Sequence, residues 1–125
     1  MKHLLLILSF LLLSSLLFGQ SFVSVGNSGT ILTSSDGILW TKRTSGKWEY
    51  LSGVTYGNGT FVAGGGTILT SSDGTTWTSS GEGGDIRGVT YGKSTFVTVK
   101  HSGAIHTSSD GTTWTSRSSG KSKDL

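Results

Sequence analysis

Cysteine and proline are both missing from the 125 residues, and methionine occurs once. Disulfide scaffolds, cysteine-ligated metal sites and proline-rich linkers are therefore excluded before any pattern is considered. The lack of cysteine also closes the lipoprotein route, which acylates a cysteine at a new N-terminus. Charge is sparse as well, with 10 Lys and Arg against 7 Asp and Glu. The basic residues Lys42, Arg43, Lys47, Arg87, Lys93, Lys100 and Arg117 are scattered among turns. A phosphate-tracking surface needs a dense stripe that neutralises several charges together, so nucleic acid is not an expected partner. What is abundant is glycine, 20 residues, set among Thr, Ser, Trp, Tyr, Phe, Val and Ile. That is the vocabulary of short strands and tight turns, around a thin core.

Only one long hydrophobic run is present. Met1-Lys2-His3 gives a short basic start, and Leu4 through Phe18 is apolar but for Ser9, Ser14 and Ser15. This reads as a signal peptide over residues 1–19, cleaved after Gly19. A spanning helix needs about 20 apolar residues, so the run is short for a permanent anchor. The expectation is an exported product, secreted, periplasmic or at the cell surface, with no membrane contact after cleavage. A competing reading lets Ser14 to Phe22 imitate Ser52 to Phe61 and stay attached as a strand.

Past the leader the chain repeats itself. Ser34-Ser35-Asp36-Gly37-Ile38-Leu39-Trp40-Thr41 returns as Ser71-Ser72-Asp73-Gly74-Thr75-Thr76-Trp77-Thr78 and as Ser108-Ser109-Asp110-Gly111-Thr112-Thr113-Trp114-Thr115, the aspartates 37 residues apart both times. Gly53-Val54-Thr55-Tyr56-Gly57 recurs at Gly88 to Gly92, and Phe22-Val23 recurs at Phe61-Val62 and Phe96-Val97. In the second unit, strands are expected over Gly53 to Gly57, Thr60 to Gly64, Thr67 to Ser71 and Thr75 to Ser79. Asn58-Gly59 is a favoured two-residue hairpin turn. Four short strands per unit describe a propeller blade. The predicted fold is all-β, with blades of four antiparallel strands and about 2.75 blades in the chain. The segments are a partial blade over 20–44, blades over 45–80 and 81–117, and a polar tail over 118–125.

These octapeptides resemble the Asp-box, the turn between the third and fourth strands of blades in sialidase-type, sortilin-type and photosystem II assembly-factor-type propellers. Glycine follows the aspartate directly here, a shortened form most similar to the assembly-factor and related bacterial surface repeats. The resemblance covers roughly residues 21–117 and implies a fold rather than an activity. It implies structural roles for Ser34, Asp36, Gly37, Trp40, Ser71, Asp73, Gly74, Trp77, Ser108, Asp110, Gly111 and Trp114. A short side chain in such a turn accepts bonds from N–H groups two residues on, and each tryptophan is expected to tuck under its turn.

Three boxes make fewer than three full blades, whereas closed propellers have 4 to 8. Completion by copies of the chain or by additional blades is expected. The resemblance implies a non-catalytic binding or assembly scaffold with no cofactor and no metal. His101 and His106 sit on opposite faces of one strand region and do not make a zinc site alone; His106 is expected on an exposed end-blade face. Gly88 to Ser94 lacks the leading glycine of a phosphate loop. The alternative is a sialidase-like glycoside hydrolase fragment, for which Glu49-Tyr50, Glu82, Asp85, Arg43, Arg87 and Arg117 are the raw materials. The candidate ligand-binding residues are Trp48 and Tyr50, in a connection outside the repeat, facing a glycan or a protein.

Overall fold

Residues 21–120 are described by the structure, a computed structural model. The expected signal peptide, its cleavage point and residues 121–125 of the tail lie outside them. Within them eleven strands form three antiparallel meanders. The first sheet is β1 (Phe22–Val25), β2 (Ile31–Ser34) and β3 (Thr41–Arg43). The second is β4 (Leu51–Gly57), β5 (Thr60–Gly65), β6 (Thr67–Ser71) and β7 (Thr78–Glu82). The third repeats it as β8 (Ile86–Gly92), β9 (Thr95–Lys100), β10 (Ile105–Ser108) and β11 (Thr115–Arg117).

Turn chemistry sets these boundaries. Asn58 and Gly59 both take positive φ, 49° and 69°, and close the β4–β5 hairpin as their sequence predicts. Lys93 and Ser94 close β8–β9 in the same conformation, at 49° and 57°, without a glycine. The fourth strand of the second sheet starts later than the expected Thr75, at Thr78. The Asp73 carboxylate accepts the N–H groups of Thr75 and Thr76, at 2.8 and 2.9 Å, so those residues belong to the turn and cannot pair with a neighbouring strand.

Both faces of the second sheet are covered. Phe61, Ala63, Leu69 and Trp77 point toward the first sheet and meet Ile31, with Val23 and Val25 packed alongside. Val62 and Ile68, on the opposite parity, point toward the third sheet and meet Ile86 and Phe96. Full burial of one such side chain contributes about 1.5–3 kcal/mol, so these two seams hold the sheets against each other. Polar links run alongside: Leu51 N–H donates to the Gly26 carbonyl at 3.0 Å, and the Ser52 hydroxyl donates to the Ile86 carbonyl at 2.6 Å. At one point the approach is closer than any side chain allows, for a Cβ on Gly57 would lie 2.2 Å from the Tyr91 ring.

Candidate functional site

The three Ser-Ser-Asp-Gly turns have one geometry. In the second, Ser71 Oγ accepts the N–H groups of Asp73 and Gly74 while donating to Asp73 Oδ1 at 3.0 Å. The turns at Asp36 and Asp110 repeat these contacts. Asp36, Asp73 and Asp110 each have a pKa held below the ordinary carboxylate value, chiefly by the two backbone N–H bonds from the residues two and three positions on. The glycines take φ of 80°, 81° and 84°. A carboxylate so engaged is a fastener and a poor general base.

The tryptophans are not equivalent. Trp77 is 8% exposed and its indole N–H donates to the Gly74 carbonyl at 2.8 Å. Trp114 donates likewise to Gly111 at 3.1 Å. Trp40 departs from the expected tucked position and stands 42% exposed, because no sheet precedes the first one among the described residues.

Trp48 is 79% exposed and lies in the loop before β4. Tyr50, two residues on, donates its hydroxyl to Asp85 Oδ1 at 3.3 Å, and Asp85 pairs with Arg87 at 3.4 Å. The loops entering the second and third sheets are thus tied together. Desolvation first, and then the Asp85 charge, raises the Tyr50 pKa, which keeps the phenol protonated. Glu49 turns one carboxylate oxygen into a buried position with no partner. The sequence singled out Trp48 and Tyr50, but the Asp85 contact spans 35 residues and has no local signal.

His106 is not on an open end face. It pairs across the ladder with Thr98, whose side chain faces the second sheet, and so it lies in the seam between the second and third sheets. Burial, followed by the charge of Lys100, lowers its pKa. No group of three His, Cys, Asp or Glu among the described residues is placed to hold a metal ion.

Comparison with solved structures gives similar folds, two structures of YCF48 among them. The chain is similar to YCF48 from Cyanidioschyzon merolae, with 25% identity and a TM-score of 0.65, over 78% of this chain and 33% of that one. It is also similar to the structure of YCF48 bound to D1 peptide, with 20% identity and a TM-score of 0.64, over 75% of this chain and 36% of that one. The architecture is a partial β-propeller. The chain spans about a third of the length of either structure. No family model and no curated protein matches it.

Each sheet is then a blade, and the repeat defines a leading and a trailing face for each. The leading face of the second blade, Phe61, Leu69 and Trp77, covers the trailing face of the first, Val23, Ile31 and Thr33. The leading positions of the first blade itself are Phe22, Leu32 and Trp40, with Phe22 53% exposed. The trailing positions of the third blade, Val97, Ile105 and Thr107, are half-buried. Ile38 and Leu39 replace the threonines of the other boxes and are 77% and 75% exposed.

Proposed function

We propose that this chain is an exported, non-catalytic β-propeller scaffold of the Asp-box type. Its end faces are covered by a second copy of itself, and its Trp48–Tyr50 rim holds a protein ligand. The observation that carries the reading is the mismatch between the ends and the middle. Residues at the same repeat positions are 5% and 8% exposed at Phe61 and Trp77 but 53% and 42% exposed at Phe22 and Trp40. Apolar faces of this kind mark interaction surfaces.

The two open faces are also complementary by the rule of the repeat. Val97, Ile105, Thr107 and Arg117 reproduce Val23, Ile31, Thr33 and Arg43 of the first seam. Arg117 donates from Nε to Thr107 Oγ1 at 2.9 Å just as Arg43 does to Thr33 at 2.8 Å. A first blade from another copy would therefore meet a surface like the one the second blade already covers. The peptide in one of the two similar structures supports a protein ligand rather than a turnover substrate. A tyrosine nucleophile needs its phenol deprotonated in the reaction, and the raised pKa of Tyr50 argues against the hydrolase alternative.

The test is the mass in solution, by light scattering, of the chain as exported and processed by a host cell. The expected result is a closed multiple of the mass of that processed chain, reduced to the single chain by Phe22→Ser with Trp40→Ser. Both side chains are exposed, so the variant should keep its strand content. A single chain at every concentration would overturn completion by copies.

A further inference from the structure

Between the second and third blades lies a cavity of about 320 Å³. Ile68 and the Trp114 ring form its apolar walls, and Ser80, Thr98, Lys100 and His106 supply its polar groups. Two of those groups are orphans. Thr98 is 1% exposed and its hydroxyl has no hydrogen-bond partner, and the Nδ1 atom of His106 is likewise buried without one.

The same space in the seam between the first and second blades is closed. By the repeat, Thr98 stands where Ala63 stands, His106 where Leu69 stands and Lys100 where Gly65 stands, and both Ala63 and Leu69 are 0% exposed. Three neighbouring apolar or small positions have thus become polar together, while Phe96 and Trp114 keep the aromatic positions of Phe61 and Trp77. Thr98 and His106 are direct cross-strand partners, so the two orphan atoms belong to one face of one ladder. A buried polar atom left unpaired is costly, and such atoms in native structures point to a missing partner.

We propose that this inter-blade cavity is a binding site for a small carboxylate with a flat apolar body. Lys100 supplies the positive charge, and no carboxylate is among the residues that line the cavity. Thr98 supplies the unpartnered hydroxyl donor, and His106 supplies a ring nitrogen that the ligand would satisfy, whereas the Ser80 hydroxyl has committed its proton to the Gly111 carbonyl at 3.1 Å. The wall of Ile68 and Trp114 accepts the apolar body. One lysine with neither an arginine fork nor a nest of backbone N–H groups suits a single negative charge better than a phosphate. A volume of about 320 Å³ is at the small end of ligand sites, which sets the size of the guest. The site lies within one chain and does not depend on how the end faces are covered.

Benzoate is the probe, and the Trp114 indole N–H resonance of the full chain is the readout. Benzoate at about 10 mM should shift that resonance saturably, since a ligand this small is expected to bind with a dissociation constant near 1 mM. Benzamide, which matches the shape without the charge, should not bind. Lys100→Met should weaken benzoate at least tenfold. Thr98→Ala with His106→Leu, which installs the side chains of the closed seam, should abolish binding. Absence of a saturable shift would mean the cavity holds water alone and would overturn the proposal. So would benzamide or inorganic phosphate binding as tightly as benzoate, or an affinity that Lys100→Met leaves unchanged.

Discussion

Each of Asp36, Asp73 and Asp110 fastens two N–H groups and one hydroxyl, with almost the same distances in all three turns. Replacing Asp73 by alanine leaves the N–H groups of Thr75 and Thr76 without their acceptor, a loss of the kind seen when a helix cap is removed. Stability should fall by about 1–2 kcal/mol, measured by urea denaturation. The pH dependence follows from the same bonds. The folded pKa of each box aspartate lies below the ordinary value of 3.8, so the stability these groups contribute is complete above that value. It is lost as pH falls through the folded values. The expected profile is a urea midpoint that falls slightly as pH drops below about 6.5, where His106 takes up its proton more readily in the unfolded chain, and falls further below about 4 as the box aspartates protonate; Asp73→Ala should flatten only the lower decline.

At the scale of the strand and hairpin, one turn is strained and its counterpart is not. Lys93 and Ser94 hold left-handed backbone that Asn58 and Gly59 hold at lower cost. Lys93→Asn with Ser94→Gly should therefore raise the melting temperature, by the equivalent of about 1 kcal/mol. How much of this level was legible in the sequence depends on what a repeat encodes. The spacing of the boxes and the Asn58-Gly59 pair placed the hairpins, because turn residues act locally. The start of β7 was placed too early because the turn extends through Trp77, held by side-chain bonds that the strand-like threonines conceal. His106 was misplaced for a different reason. Strand alternation fixes that His106 and Thr98 share a face, but where both faces of a sheet are covered, parity does not say which neighbour a face meets. The Tyr50–Asp85 bond was out of reach because two loops 35 residues apart create it.

For the molecule as a whole, stability is distributed in seams, as in any stacked array, with each blade held by its neighbours. The tightest point of the seam between the second and third blades is the Tyr91 ring resting on Gly57. Gly57→Ala would place a methyl group inside that ring and should cost about 1–3 kcal/mol or more, seen as an early urea midpoint.

Gly92 is the repeat counterpart of Gly57, and nothing lies within 4 Å of where its Cβ would be. The same substitution there should be silent in the isolated chain, within about 0.5 kcal/mol. It becomes harmful only when an incoming blade lays an aromatic ring on that backbone. Position 92 is thus a built-in reporter. A Gly92→Ala chain that folds normally but no longer assembles would reveal that its neighbour carries a first strand with a tyrosine-like ring. A chain that assembles unchanged would reveal a neighbour whose edge leaves that notch empty.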